Sequence, residues 1–438
     1  MNILQITPGA GGMYCGACFR DNALVGAFRR MGHSATLLPL YLPMTLDEPD
    51  ETRGTPILFG GINVYLEEKS GLFRKLPRFL TGWLDSPRLL KWTGKFASQT
   101  RPEDVGGLTV SMLKGEDGNQ LRELEQLLSW IEAQGRPDVI NISNVLLIGL
   151  VRRLRRELGV PVVATLQGED FFLDALPPEN SAEAWDVLRE RAQEVDRFIS
   201  PSQYFGDLMK RRMEFPREKL SVIPNGISLE GYKETSAPTD PPVLGYFARM
   251  CEDKGLDTLV ESFLLLKQRD ATRNLRLKVG GGLGPSDQPL VNAIKDRLSE
   301  LGYADSVEFC PNLTREEKLA FFRDLTVFSA PALYGETFGL YVIEAMAAGV
   351  PVVQPRHAAF PEIIDGTGGG LLCEPGSAAA LADGIESLLL EPTRARQLGE
   401  RGRTSVQERY HVDIMAEQIA DVYRELVQGD QVVEAQFK

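Results

Sequence analysis

Short apolar, β-branched runs alternate with longer stretches of helical period along this chain, and the whole alternation happens twice. Strands are predicted near Ile3–Thr7, Ala35–Leu40, Val139–Ile142, Pro161–Thr165, Arg197–Ser200 and Ser221–Ile223. A second set is predicted near Val243–Phe247, Leu275–Val279, Ser306–Phe309, Val327–Ser329 and Pro351–Gln354. Helical periodicity occupies Phe19–Met31, Asn119–Gln134, Leu146–Leu158 and Ala182–Glu194 in the first set. In the second it occupies Leu256–Lys267, Pro289–Leu301, Arg315–Arg323, Phe338–Ala348 and Ala378–Leu389. Strands separated by helices must run parallel, with helices covering both faces of the sheet. The expected class is therefore α/β, built as two doubly wound domains with parallel sheets facing across a cleft. The polar, Pro-rich segment Ser236–Pro242 (SAPTDPP) reads as the linker. The expected domains are 1–240, 241–410 and a closing helix, 411–438, that packs back on the first domain. Residues Thr45–Gly115 lack a clean βα repeat and read as an insertion in the first domain.

Length and composition narrow the function classes. The chain has 438 residues, enough for two or three domains with ample cores. No apolar run approaches the ~20 residues of a membrane span. The N-terminus, MNILQIT, has no basic region or signal-type apolar core, and an odd five Cys build no disulfide framework, so a cytoplasmic setting is expected. Net charge is −13, and residues 236–438 hold 20 Lys/Arg against 30 Asp/Glu. Phosphate neutralisation dominates nucleic-acid affinity, so general nucleic-acid binding is not expected.

Three places carry residues suited to a phosphorylated sugar ligand. The first strand runs into Gly9-Ala10-Gly11-Gly12 ahead of a helix. Tyr14 stands where a dinucleotide fingerprint wants its third Gly, and the second strand ends without an acidic residue, so a redox cofactor is not expected. Such a loop accepts an anion through backbone N–H groups, or is only a tight turn. In the second half, Arg249 and Lys254 flank the turn after a strand. Two cations there suit a diphosphate. The alternative is a solvated turn whose cations pair with Glu252 and Asp253. The third place is Tyr334–Val353 (YGETFGLYVIEAMAAGVPVV). Glu336 precedes a helix and Glu344 lies within it among apolar residues, where a carboxylate is costly unless bonded; the alternative is that Glu336 is an ordinary acidic residue of the N-cap region and Glu344 a solvated one. Carboxylates accept from sugar and ribose hydroxyls, and the helix start at Phe338–Leu340 offers amides to a phosphate.

Taken together, the E-x7-E spacing ahead of EAMAAGVPVV, the Arg five residues before Lys-Gly and the first-strand Gly-Gly loop resemble glycosyltransferase family 4, the retaining enzymes of the GT-B fold. Matching segments also include Phe198–Ser202, Val222–Ile227 and Val279–Gly282. The resemblance covers nearly the whole chain outside 45–115, and is more distant toward glycogen and starch synthases. It implies a hexose moved from a UDP-, ADP- or GDP-linked sugar to a hydroxyl of a glycan, lipid or small molecule, with no metal or other cofactor. It implies that Arg249 and Lys254 hold the diphosphate and stabilise it as leaving group. Glu344 would bind ribose hydroxyls. Glu336 would bind the transferred sugar, assisted by amides about Thr337, Phe338, Gly339 and Leu340. Gly11 and Gly12 would approach the donor phosphates from the other domain.

Members of the family often carry His-Gly-x-Asp after a first-domain strand. Here the stretch is Gln167-Gly168-Glu169-Asp170, with Gln167 in place of His. Gln does not titrate, so a general-base role there is unsupported. Gln167, Gly168, Asp170 and Tyr14 are the acceptor-side candidates, and Asp170 joins Arg249, Lys254 and Glu336 as a catalytic candidate. Cys15 and Cys18 form one C-G-A-C, which without a second pair is a weak zinc signal. The segment Leu72–Phe96 carries six Lys/Arg, one Asp and five Phe/Trp. It reads as covering helices, as a peripheral membrane contact on anionic lipid, or as a platform for a carbohydrate acceptor. Two other functions fit the same fold: a nucleotide-sugar epimerase, which needs an acid/base pair, and a non-catalytic nucleotide-sugar binder.

Overall fold

The computed structural model describes residues 1–9, 16–46, 48–59, 102–232 and 240–436. Among them two compact units form, one of Met1–Pro224 with Met415–Lys438, the other of Asn225–Ile414.

In chain order, the first unit contains β1 (Asn2–Thr7), α1 (Gly16–Arg30), β2 (Ser34–Pro39), α2 (Pro102–Lys114), α3 (Leu121–Gln134), β3 (Val139–Ile142) and α4 (Val151–Leu158). It continues with β4 (Val162–Thr165), α5 (Glu169–Asp174), α6 (Pro178–Ala192), β5 (Arg197–Ser200), α7 (Gln203–Met213) and β6 (Leu220–Val222). Six parallel strands lie in the order β2-β1-β3-β4-β5-β6. The central strands are mostly apolar because helices cover both faces, and their buried polar residues Gln5, Asn141 and Thr165 bond one another. Ile140, Ile142, Val162, Ala164 and Phe198 are fully buried, packed with Leu124, Leu127, Ile131, Trp185 and Leu188 from the helices.

The second unit holds β7 (Val243–Phe247), α8 (Leu256–Lys267), β8 (Arg276–Gly281), α9 (Gln288–Glu300), β9 (Val307–Pro311), α10 (Arg315–Arg323) and β10 (Val327–Phe328). After these come α11 (Leu340–Ala347), β11 (Val352–Pro355), α12 (Phe360–Thr367), β12 (Gly370–Cys373), α13 (Ala378–Leu390) and α14 (Pro392–Arg409). Its sheet runs β12-β11-β10-β7-β8-β9, again all parallel. The order reverses between β7 and β10, which makes this the switch point of the sheet. The final helix, α15 (Val412–Gln436), contributes to the first unit from Met415 onward. There Tyr423 is fully buried, with its ring 5.9 Å from that of Phe28.

Some expectations need correction. The units part after Pro224, not at the Pro-rich segment near 240. The reason is that 225–232 is bonded into the second unit: Ile227 N donates to Tyr410 O, and Arg315 donates to Glu230 O. The stretch expected to be irregular up to Gly115 ends in a helix, α2, which buries Val110 and Leu113. Leu146–Leu158 is not one helix. A 3-10 segment over Val145–Leu150 precedes α4, and a Cβ on Gly149 would meet Met112 O at 2.1 Å. That close approach requires Gly and holds the chain in the tighter turn. Strand β12 had no counterpart among the predicted strands. Leu72–Phe96 lies outside the described residues. No helix among the described residues is long and apolar enough to cross a membrane.

Candidate donor site

Loops at the carboxyl ends of β7 and β10 carry Arg249, Lys254 and Glu336, and Glu344 follows inside α11. The chain leaves β7, passes Arg249 and turns through a short 3-10 segment, Glu252–Lys254. Gly255 ends that turn with φ +71°, and a Cβ there would meet Pro331 O at 2.0 Å. Only Gly fits, which lets the two loops touch. Leu333 N then donates to Asp253 O at 2.9 Å and ties them together.

Neither cation pairs with Glu252 or Asp253, the partners expected for a solvated turn. Arg249 makes a fork to Asp287, Nε to Oδ2 and Nη2 to Oδ1, both at 2.9 Å. Asp287 is buried just before α9, while the Arg249 side chain is 59% exposed. The bond to Asp287, ahead of the cost of burial, keeps the guanidinium firmly protonated. Lys254 Nζ reaches Glu336 Oε2 at 2.6 Å and also bonds Tyr334 OH. Burial alone would push the ammonium toward neutrality. Glu336 and Tyr334 outweigh this and raise its pKa above the usual lysine range. Glu336 is likewise buried, which favours protonation, yet Lys254, Tyr341 and Tyr334 hold its carboxyl below the ordinary range. The pair is therefore charged on both sides.

Glu336 sits in the β10–α11 loop, and its own carbonyl accepts from Ala359 N at 3.2 Å. Thr337, Phe338 and Gly339 follow, and Gly339 caps α11 in the left-handed region. The first two amides of α11, of Leu340 and Tyr341, have no helical carbonyl one turn earlier to bond, whereas Val342 N already donates to Gly339 O. Glu344, inside α11, is not a solvated residue. Its Oε1 accepts from Tyr232 OH at 3.2 Å and lies 3.1 Å from Lys318 Nζ. Lys318 is buried on α10, whose start is fixed by a capping box between Thr314 and Glu317. Asp287, Lys318, Tyr232, Tyr334 and Tyr341 were missed by sequence reasoning. Their partners are remote in the chain, and a Tyr or Lys near an apolar run carries no mark of its role.

The acceptor-side candidates Gln167, Gly168 and Asp170 lie together after β4 in the first unit. Gly168 adopts φ 104° and precedes α5. Gln167 Nε2 is buried with no acceptor among the described residues. Burial raises the Asp170 carboxyl above the usual range. The residue between them, Glu169, was not singled out, although it lies in the same short segment after β4. It is 4% exposed and ties two neighbouring loops. Its Oε2 accepts from the amides of Gln167 and Gly168 at 2.8 and 2.9 Å, and its Oε1 from Val145 N at 3.0 Å. Gly11, Gly12 and Tyr14 lie outside the described residues, as does Cys15. Cys18 is buried in α1. Among the described residues no group of three or more His, Cys, Asp or Glu is placed to hold a metal ion.

Glu169 should leave a pH signature on stability. Burial outweighs its three amide bonds and raises its pKa from 4.5 to about 7. The folded chain keeps a proton there that the unfolded chain releases. This stabilisation is complete below pH 4.5 and is lost as pH rises through 7, by up to ~3 kcal/mol. Glu169→Gln should flatten that decline in urea denaturation compared at pH 5 and pH 8.

A six-stranded parallel sheet of order 3-2-1-4-5-6, with its switch point between the first and fourth strands, is the doubly wound class. Comparison with known proteins agrees. The model for glycosyl transferases group 1 matches residues 231–405, and that for glycosyltransferase family 4 matches residues 97–230. The chain belongs to the family 4 glycosyltransferases and has the GT-B fold. It is 27% identical over 243 residues to a D-inositol 3-phosphate glycosyltransferase of Saccharomonospora viridis, covering 53% of this chain and 56% of that protein. The chain thus spans little more than half the length of this relative. It is also 27% identical over 291 residues to a GDP-mannose-dependent alpha-(1-6)-phosphatidylinositol monomannoside mannosyltransferase of Mycobacterium tuberculosis, covering 63% and 72%. Among solved structures, sucrose-phosphate synthase of Thermosynechococcus elongatus superposes with TM-score 0.71 at 19% identity, covering 98% of this chain and 100% of that one. Anabaena HepE in complex with UDP superposes with TM-score 0.66 at 16% identity, covering 97% and 100%.

Proposed function

We propose that this chain is a retaining glycosyltransferase that moves a hexose from a nucleotide-diphosphate sugar to a hydroxyl acceptor, with the donor held on the second unit. The observation that supports this reading is the bond between Lys254, on the loop after β7 that also carries Arg249, and Glu336, on the loop after β10 that leads into the helix of Glu344. Arg249 and Lys254 neutralise the diphosphate as the glycosidic C–O bond breaks, and this charge stabilisation is the main contribution of the protein. Glu344 accepts from a ribose hydroxyl, and Glu336 from a hydroxyl of the transferred sugar. The amides about Phe338–Leu340 meet the distal phosphate. The acceptor oxygen bonds the anomeric carbon on the face the diphosphate leaves, and its proton passes to a phosphate oxygen. Because two side-chain cations carry the leaving-group charge, transfer requires no metal, and a chelator should leave the rate unchanged. Gln167, Gly168 and Asp170 orient the acceptor. The mannosyltransferase relative and the UDP complex of HepE support a nucleotide-sugar donor and leave the base open among UDP, ADP and GDP.

A thermal-shift screen over UDP-, ADP- and GDP-sugars tests the reading, since binding to the native state raises apparent stability. One base should raise Tm and the corresponding diphosphate should appear on turnover. Arg249→Ala should weaken binding of that nucleotide about tenfold or more, given the strength of bonds to charged groups. Absence of any shift with all three bases would reject the donor site.

A further inference from the structure

The two oxygens of Glu336 are used very unequally. Oε2 takes three donors: Lys254 Nζ at 2.6 Å, Tyr341 OH at 2.7 Å and Tyr334 OH at 3.3 Å. Oε1 receives none from the described residues. One carboxylate oxygen offers about two lone-pair directions, so three donors oversupply it. The surplus has a purpose if one donor must leave. Lys254 is the mobile one. It is a single ammonium on a flexible stem, and in the donor-site reading it has a second destination, the diphosphate. A buried carboxylate that loses its only cation is left uncompensated, which is strongly unfavourable. Here two phenol hydroxyls would stay behind. The ammonium also lies 4.7 Å from the centre of the Tyr334 ring and 5.5 Å from that of Tyr341.

We propose that Tyr341 and Tyr334 are positioning residues that release Lys254 to the donor diphosphate. They keep Glu336 satisfied at Oε2 while the ammonium moves, and they keep Oε1 turned to the sugar hydroxyl. This inference rests on the donor-site reading above. It assigns to two tyrosines a task that neither cation nor acid can perform for itself. Without the phenols, Glu336 has only Lys254 to compensate it, and the ion pair becomes a trap that competes with the phosphates.

The test is a thermodynamic cycle on nucleoside diphosphate binding, which involves no sugar. Wild type, Tyr334→Phe, Tyr341→Phe and the double variant are titrated with whichever of UDP, ADP or GDP binds, and the same changes are repeated in a Glu336→Gln background. In the native background the double variant should bind about tenfold more weakly or worse, and each single variant should lose part of that. In the Glu336→Gln background no carboxylate traps Lys254, so the same tyrosine changes should cost less than about twofold. Such non-additivity is expected only of groups acting through a shared partner. Equal losses in both backgrounds would mean the tyrosines merely support the fold, and no loss in the native background would mean Lys254 needs no release. Either result overturns the inference while leaving the donor site standing. Failure of wild type to bind any of the three diphosphates rejects the donor site, and this inference with it. Tyr334 is only partly buried, so its Phe variant keeps the test alive if Tyr341→Phe does not fold.

Discussion

Lys254→Ala should lower kcat/KM for the nucleotide-sugar donor about 100-fold or more, the scale seen when one donor to a developing anion is removed. Two losses combine. The diphosphate loses an ammonium whose charge is secured by Glu336 and Tyr334. Glu336 in turn loses the cation that, against the cost of its own burial, keeps its carboxyl below the ordinary range. Both losses fall most heavily on the transition state, where the leaving-group charge is greatest, so kcat should drop as well as donor affinity. Initial rates with the nucleotide sugar that stabilises the wild type would check this. A change smaller than about threefold would remove Lys254 from the mechanism. The acid limb should also move. In wild type the depressed Glu336 pKa stabilises the fold above pH 4.5 and is lost as pH falls through the folded value. Lys254→Ala should abolish much of that acid-side dependence.

Gly255→Ala should be among the most damaging single changes in the second unit, though it adds one methyl group. The added Cβ would lie 2.0 Å from Pro331 O, a backbone atom that cannot move aside without shifting the loop after β10. The φ of +71° adds a left-handed penalty of about 1 kcal/mol or more for any residue but Gly. A total of about 2 kcal/mol or more is expected, or roughly 4–8 °C for the transition of a unit of this size. Gly282→Ala is the matched control, since no atom lies within 4 Å of the Cβ it would carry. It should stay within about 0.5 kcal/mol of wild type. Gly255→Ala should also cost catalysis, because Lys254 lies in the turn that Gly255 ends and would lose its approach to Glu336. Equal Tm values for the two variants would show that the loops part more easily than their spacing implies.

The α/β class and the paired doubly wound pattern were legible because periods of 2 and 3.6 residues are local properties of a chain. The motif residues were legible for a similar reason. Arg249 and Lys254 are five apart, and Glu336 and Glu344 eight apart, so each pair is visible in one short window. Legibility failed where local pattern and tertiary demand diverge. Helix α2 was hidden in a stretch that looked irregular, and β12, no residue of which is fully buried, lacked the apolar signal of a central strand. The division of the units at Pro224 was hidden because 225–232 has no composition of its own. It belongs to the second unit only through bonds to residues such as Tyr410 and Arg315.

What the residues alone determined is the set of chemical groups: two cations after one strand, and an acid, a helix start and a second acid within that helix after another. What only the tertiary structure decided is who meets whom. Lys254 and Glu336 are 82 residues apart, Arg249 and Asp287 38, and Tyr232 and Glu344 112. The chain runs from β7 out through β8 and β9, then returns to lay β10 against the other side of β7. That strand order, set by sheet pairing over long loops, places Lys254 beside Glu336. It carries no local signature, because parallel strands of similar apolar content could pair in other orders. The charges for which solvation was the alternative reading are thus bonded to residues remote in the chain.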